Sequence, residues 1–326
     1  MSSSKAKTVL KVTLPLLLGV VLIWYSLSQI SFSELVQYFK KADYTWISVG
    51  VFLGLLSHLS RAYRWKFMIE PMGYKLRFAN SSMAVLAAYL INYTIPRAGE
   101  VSRATIVANY EGVPFEKGFG TIVAERLADM VIMLGIILVT LLLEFEYIYQ
   151  FFAERFDPIK IIIGLLVLVL LGVVFLYFIN KSNHKIAVKI RTFVKGLFEG
   201  VTSIFRMKKK WAFIFHTLFI WAMYLLMFYV TSFTLVETSG IPFAAILIGF
   251  ISASFSIAAT NGGIGSYPVA VFAAFSIFGI AKEPSIAFGW IMWSSQTLLI
   301  VIAGGLSLLV LPIYNKMYPK QRDKVS

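Results

Sequence analysis

The chain has 326 residues, of which 59% are hydrophobic and 14% charged, and its formal net charge is +14 at pH 7. A soluble domain of this length could not bury so much apolar surface, which excludes water as the main solvent of the protein. The excess of positive charge favours anionic lipid headgroups as partners. We expect no nucleic-acid partner, because there is no soluble basic domain to hold a duplex.

Long apolar runs at 9–30, 122–143, 159–179 and 286–312 reach the roughly 20 residues that a helix needs to cross about 30 Å of hydrocarbon. They are continuous and lack the alternation of barrel strands, so the backbone must satisfy its hydrogen bonds within helices. The sequence therefore predicts an all-α fold. We expect one domain over residues 1–326, a polytopic transmembrane helical bundle of about eight spans.

The first run, at 9–30, could be a cleaved secretory signal or a retained membrane anchor. It has a basic start at Lys5, Lys7 and Lys11, but its apolar stretch is longer than that of a usual signal, and no clear cleavage site of small residues ends it. We interpret it as an anchor.

Basic residues predict which connections face the cytoplasm. The segment 181–210 carries nine Lys or Arg against one acid, and 61–77 carries five against one. Both ends of the chain are also basic, whereas the connection 144–157 has four acids and one arginine. Because Lys and Arg mark the cytoplasmic side, we predict a multi-pass protein of the inner or plasma membrane with both termini in the cytoplasm.

Three segments do not read as simple spans. The apolar piece at about 80–96 is too short to cross and, by the parity of the charges, must not change sides, so we expect it to be re-entrant. The segment at about 181–210 has apolar residues at helical spacing, which predicts a basic amphipathic helix on the inner leaflet. The segment at about 241–281 is broken in its middle, and either two spans or a re-entrant pair satisfies the parity.

Charged residues cluster on both sides of the connection that follows the re-entrant piece. They are Arg97, Glu100, Arg103, Glu125, Arg126 and Asp129. A charge at the bilayer centre costs at least about 2.5 to 3.5 kcal/mol, so such residues need partners or water. We expect a polar pocket at the cytoplasmic end, where the arginines bind a phosphate and the acids orient them or bind a cationic headgroup. The alternative is a structural ion-pair network that closes the bundle.

The break in 241–281 contains Asn261, Gly262, Gly263, Gly265 and Pro268. Glycines let backbone N–H groups face an anion, and a half-helix that starts here would direct its positive end at a headgroup. Glycines can also serve only close helix packing. We favour a headgroup site formed by Asn261, Gly262, Gly263 and Gly265, because three glycines and a proline exceed what packing requires.

Other chemistry has little support in the sequence. There is no phosphate-binding loop, no zinc-protease motif and no cysteine, and the three histidines lack metal-ligand spacing, so we expect no cofactor and no metal. His58, Arg61 and Arg64 recur every three residues, and we expect them to snorkel to the interface. Gly50 and Gly54 form a small-xxx-small pair, a weak signal for a homo-oligomer.

Four pieces of sequence, taken in order, carry a family resemblance. They are Arg61 to Trp65, the stretch Ile95-Pro96-Arg97-Ala98-Gly99-Glu100 with Arg103, Glu125-Arg126 with Asp129, and Gly262-Gly263-Ile264-Gly265. The ordered set resembles the lysylphosphatidylglycerol synthase transmembrane region family, also called flippase-like, over nearly the whole chain. The resemblance implies a bundle of about eight helices with re-entrant segments. It also implies a role with aminoacylated phospholipids, hopanoids or isoprenoid-linked glycolipids.

The sequence departs from the family pattern at two positions of the glycine break. Asn261 stands where a proline is frequent, and Pro268 stands where many members carry a glutamate, so the substrate here could differ. The soluble aminoacyl-transferase domain of the bifunctional members does not follow Ser326, so we do not expect a lysyltransferase.

We therefore predict a lipid translocase that recognises a phospholipid or isoprenoid-linked headgroup. The alternative is a membrane enzyme or subunit of phospholipid or glycolipid synthesis, with Glu100, Glu125 and Asp129 as acid–base groups.

Overall fold

The computed structural model describes residues 17, 19–95, 97–146, 149–150, 157–182, 184, 186–188, 190–191 and 207–319. Every regular element within these ranges is helical, so the predicted all-α fold class is confirmed. The longer helices are α1 (Gly19–Ser28), α2 (Phe32–Lys41), α3 (Tyr44–Ile69), α4 (Phe78–Thr94), α5 (Ala98–Glu111), α6 (Phe115–Leu143), α7 (Pro158–Lys181), α8 (Lys210–Thr231), α9 (Phe243–Ala259), α10 (Ser266–Ser276) and α11 (Lys282–Met317).

The chain forms two compact units. The first unit contains residues 1–123 and 211–326, and the second contains residues 124–210. In the first unit, α4 packs on α3, α5 and α11, and α10 packs on both α9 and α11. Its core includes Trp65, Ala84, Val107 and Ile122, all at most 1% exposed. The second unit holds the remainder of α6 and α7, much of which exposes apolar side chains.

Local sequence determines where several helices begin and end. Ser31 accepts a hydrogen bond from the Glu34 amide at 3.2 Å and so caps α2. Asp43 accepts one from the Thr45 amide at 2.9 Å and caps α3. These are the side chains that best satisfy the free N–H groups of a first turn. Gly112, at φ 63°, ends α5, because glycine adopts this left-handed conformation without steric cost.

Three helical stretches among the described residues are long and apolar enough to cross a membrane, and a bent pair would make four. The three are Phe115–Leu143, Lys210–Thr234 and Lys282–Met317, and the pair is Gly19–Ser28 with Phe32–Lys41, bent by 83°. This is fewer than the eight or so expected. Helix α3 is 26 residues long but contains several buried basic residues, and α4, α9 and α10 have at most 17 residues.

The two irregular apolar segments form short helices. The segment at about 80–96 forms α4, which packs with α5 across a tight turn to make a first pair, and both helices are too short to cross about 30 Å at 1.5 Å per residue. The second is α9 with α10, which are separated by the predicted glycines. Whether either pair re-enters the membrane stays a prediction. The amphipathic segment predicted at 181–210 lies largely outside the described residues.

The small-xxx-small pair in α3 faces the interior of the first unit. A Cβ atom on Gly50 would lie 2.5 Å from the Thr231 Oγ1 atom of α8. One on Gly54 would collide with the Gln296 Oε1 atom of α11. These glycines therefore permit close packing between helices of the same chain, and they supply no surface for a second copy.

Candidate functional site

The buried face of α3 carries two of the buried charges of the first unit, Arg61 and Arg64. Its polar side chains Ser57, His58, Arg61 and Arg64 follow one another at intervals of one, three and three residues, and all of them are buried. Arg61 is only 2% exposed and Arg64 is fully buried. The predicted snorkelling of these residues to the interface is therefore wrong. Neighbouring helices cover this face of α3, so the side chains point into protein.

Arg64 is held by α8. One of its terminal N–H groups donates to the Thr217 Oγ1 atom at 2.8 Å, and its guanidinium lies 5.1 Å from the centre of the Phe213 ring. Phe213 and Thr217 are one helical turn apart, so they present a ring and a hydroxyl to the same guanidinium. No pattern in the sequence indicates that α8 provides this contact.

Arg103 lies over an indole ring. Its guanidinium carbon is 3.8 Å from the centre of the Trp65 ring, and the side chain is 4% exposed. The Trp65 Nε1 atom donates to the Thr121 Oγ1 atom of α6 at 2.7 Å, which fixes the ring. A desolvated cation over a tryptophan face is stabilised by about 2 kcal/mol. Thus α3, α5 and α6 together position the Arg103 charge.

Arg97 lies at the turn between α4 and α5 and is exposed, unlike Arg103. Its backbone is left-handed, with φ 61°, the only such non-glycine residue among those described. The turn is held by the Asn92 side chain, which accepts a hydrogen bond from the Gly99 amide at 2.8 Å. A Cβ atom on Gly99 would collide with the Ala88 carbonyl oxygen, so only glycine fits there. Glu100, in the first turn of α5, is partly buried.

The second unit contains the other three predicted site residues, all on α6. Glu125 and Asp129 are buried and lie four residues apart on one face of the helix. Arg126 is largely exposed, and one of its terminal nitrogens is 3.9 Å from the Asp129 carboxylate. Both acids therefore lie on a buried face of α6. The expected union of all six charges in one pocket stays a prediction.

The glycine break has the backbone conformation that its composition predicts. Gly262, Gly263 and Gly265 have φ values of 64°, 79° and 69°, which other residues adopt only with strain. The break is also tightly packed: a Cβ atom on Gly265 would collide with the backbone of α1 at Ile23. Both earlier interpretations of these glycines, backbone freedom and close packing, therefore have structural support.

Two aromatic side chains contact the break. The indole N–H of Trp293 donates to the Gly262 carbonyl oxygen at 2.8 Å. The Tyr93 ring lies where a side chain on Gly262 would have to be, and its hydroxyl is 3.2 Å from the Thr297 Oγ1 atom. Asn261 is 8% exposed, and its Nδ2 atom has no hydrogen-bond partner within the described ranges. The structure thus brings the break together with the last turn of α4, which leads to Arg97.

A second buried polar cluster escaped sequence analysis. Glu111 accepts hydrogen bonds at its Oε1 atom from the Arg77 Nε atom at 2.8 Å and from Asn80. Asn80 and Asn315 exchange two further hydrogen bonds of 2.8 Å, and Arg77 donates to Asn315 at 2.7 Å. These bonds join α4 and α5 to the end of α11. Side-chain hydrogen bonds that link three helices in this way are typical of a structural clamp.

The all-helical fold and its long apolar helices define an integral membrane protein. The model of the lysylphosphatidylglycerol synthase TM region family matches residues 12–305, and the chain belongs to that family. The predicted family is thereby confirmed.

Two curated relatives are similar to parts or most of the chain. A UPF0104 membrane protein of Methanocaldococcus jannaschii is 27% identical over 307 residues, which cover 85% of this chain and 87% of the relative. A glycosyltransferase, AglD, of Haloferax volcanii is 25% identical over 105 residues, or 32% of this chain and 17% of the relative. No solved structure matches the chain.

Proposed function

We propose that the protein binds a membrane lipid by an anionic, phosphate-bearing headgroup and transfers that lipid between leaflets. The observation that carries this proposal is the burial of three arginines, Arg61, Arg64 and Arg103, in the first unit. Guanidinium groups are costly to remove from water, and inside membrane proteins they commonly mark a pathway for a charged group. Phosphate oxygens match the fork of N–H donors that arginine presents.

Two of the predicted site residues extend this arginine group at the start of α5. Arg97 is exposed at its turn, where a headgroup would first meet the protein, and Glu100 follows in the first turn of α5. In the second unit, the acids Glu125 and Asp129 on α6 would orient Arg126 or contact a cationic substituent. The asparagine and glycines of the break, 261–265, would offer backbone and amide donors to the same headgroup.

The charge pattern supports an orientation in the cell or inner membrane with both termini in the cytoplasm. In that orientation the end of α3 and the connection to α4, which together make up the basic segment 61–77, lie on the cytoplasmic side.

The second candidate is a membrane enzyme or enzyme subunit in glycolipid synthesis. It is favoured by the partial match to a relative named as a glycosyltransferase. Lipidomics of a deletion strain separates the two functions. Loss of a lipid species would favour synthesis, whereas an altered distribution between leaflets at constant amount would favour transfer.

The direct test is lipid transfer in liposomes by purified wild type, Arg103→Gln and Arg103→Lys. We expect transfer of a labelled anionic lipid to fall about tenfold or more in Arg103→Gln, since a charge-assisted hydrogen bond contributes about 1.5–3 kcal/mol. Arg103→Lys keeps the charge and should retain an intermediate rate. Lys75→Gln removes an exposed cation and serves as the control. Equal transfer by all four proteins, or none by wild type beside an active flippase, would refute the proposal.

A further inference from the structure

We infer that the first unit contains a neutral hydrogen-bonding site for the hydroxyl groups of the headgroup, next to its arginines. The site, here named the neutral cluster, consists of His58, Tyr89, Trp221, Tyr224 and Gln296. The ligand class that it fits is a phosphorylated lipid with a hydroxylated ring, such as a sugar or an inositol, attached to the phosphate. This inference rests on the proposed function, because the arginines supply the contact with phosphate.

Four helices of the first unit bring the neutral cluster together. The His58 ring of α3 lies 4.6 Å from the Tyr89 ring of α4 and 6.2 Å from the Tyr224 ring of α8, measured between centroids. Trp221 stands perpendicular to Tyr224 at 6.0 Å. Gln296 of α11 contacts α3 at Gly54, one turn before His58.

Three polar atoms in the cluster are buried without a hydrogen-bond partner among the described residues. They are the Nδ1 atom of His58, the Nε1 atom of Trp221 and the Nε2 atom of Gln296. His58 is 93% buried, since its exposed fraction is 7%. An unsatisfied buried donor or acceptor costs about 1–3 kcal/mol, so three of them among the side chains of this cluster indicate that a polar guest completes them.

The chemistry of these atoms favours hydroxyl groups as the guest. Trp221 and Gln296 offer N–H donors, which hydroxyl oxygens accept, and a neutral imidazole can donate or accept. The cluster has no carboxylate to attract an amine. It also has three aromatic rings besides the imidazole, and such rings cover the apolar C–H faces of a sugar while polar groups fix its hydroxyls.

The position of the cluster links it to the arginines. His58 and Arg61 are three residues apart on the buried face of α3, a rise of about 4.5 Å along the helix axis. Arg64 lies one further turn along the same face. That interval is comparable to the separation between a phosphate and the centre of a ring attached to it. A phosphate at the arginines would therefore place its ring at the neutral cluster.

The test measures selectivity between lipids that differ only in the hydroxylated ring. One pair is phosphatidylinositol against phosphatidylmethanol with the same acyl chains. The other is polyprenyl phosphoglucose against the methyl ester of polyprenyl phosphate. Dissociation constants are measured in detergent by native mass spectrometry for wild type, Trp221→Phe, Gln296→Leu and Trp290→Phe. Trp290→Phe is the matched control, because its indole N–H already donates to Ser26, at 3.1 Å.

We expect wild type to prefer the ring-bearing lipid about tenfold in at least one pair, and the preferred pair identifies the lipid source. Trp221→Phe and Gln296→Leu should each reduce this ratio about threefold to tenfold, the loss of one neutral hydrogen bond. Trp290→Phe should keep it. The ratio is insensitive to a general loss of affinity, and each variant must elute as a single folded species.

Equal binding of both members of each pair by wild type would show that only water fills the cluster, and the inference would be wrong while the proposed function stood. A ratio unchanged in Trp221→Phe and Gln296→Leu would equally refute it. Failure to bind any of the four lipids would refute the proposed function itself.

Discussion

Arg103 and Trp65 illustrate how a single residue contact can hold a charge inside an apolar bundle. The guanidinium lies 3.8 Å from the indole centre, and the indole is itself anchored by its N–H to Thr121. A ring face is a weak acceptor, so it holds the cation without neutralising it. The Trp65 contact thus helps to fix the Arg103 guanidinium inside the bundle.

Replacing Trp65 by phenylalanine should therefore lower the free energy of unfolding by about 1.5–3 kcal/mol. The change removes the hydrogen bond to Thr121, leaves a cavity in the core and weakens the contact with Arg103. Thermal unfolding in detergent measures the loss. Trp24→Phe, at a side chain that is 71% exposed, is the control and should leave the midpoint unchanged. Similar midpoints for both variants would contradict this account of the Trp65 contact.

Glu111 supplies a second test at this scale. Glu111→Gln removes the charge that faces Arg77 and should cost about 2–3 kcal/mol of stability, less than for a wholly buried pair because Arg77 is 27% exposed. Lipid selectivity should not change, since this cluster is a structural clamp. Glu116→Gln, at an exposed acid, is the control for the same thermal measurement. A loss of selectivity without a loss of stability would assign Glu111 to the binding site.

At the level of helices, close approach depends on glycines whose role differs between neighbours. A Cβ atom on Gly304 of α11 would lie 2.7 Å from the Leu90 Cβ atom and 2.8 Å from the Leu86 carbonyl oxygen. One on Gly305 would meet nothing within 4 Å. The close packing of α4 on α11 therefore requires a glycine at position 304 but not at position 305.

Gly304→Ala should reduce stability by about 1–3 kcal/mol, because backbone atoms of α4 cannot move aside cheaply. Gly305→Ala should be neutral or stabilise the protein by up to about 1 kcal/mol, since alanine favours the helix. Thermal unfolding of the two variants side by side measures the difference. Equal shifts would mean that α4 and α11 do not approach as described.

Much of this element-level structure could be predicted from sequence, and the failures have physical causes. The break at 262–265 was predictable, because only glycine readily adopts positive φ and several occur together. The burial of Arg61 and Arg64 was not, because a helix end with basic residues reads the same whether water or another helix covers it. A usable signal was present, since both residues share a face with Ser57 and His58. The clamp of Asn80, Glu111 and Asn315 joins positions too distant in sequence for any local pattern to reveal.

The whole molecule raises the question of orientation, which its lack of cysteine makes simple to test. Single cysteines at Tyr149 and Lys75, both exposed, can be labelled without a background from native thiols. We expect an impermeant maleimide to label Tyr149→Cys in intact cells and Lys75→Cys only after permeabilisation, since the positive charges face the cytoplasm. The reverse pattern would invert the proposed orientation, and the wild-type chain is the unlabelled control.

The left-handed arginine at the α4–α5 turn has an evolutionary implication. Glycine would occupy φ 61° without strain, so keeping Arg97 there sacrifices about 1–2 kcal/mol of stability. Arg97→Gly should raise the unfolding midpoint and, if the guanidinium serves the headgroup, slow lipid transfer in the same preparation. Such a variant would be more stable and less active. That opposition is what selection for activity, and not for durability, leaves in a sequence.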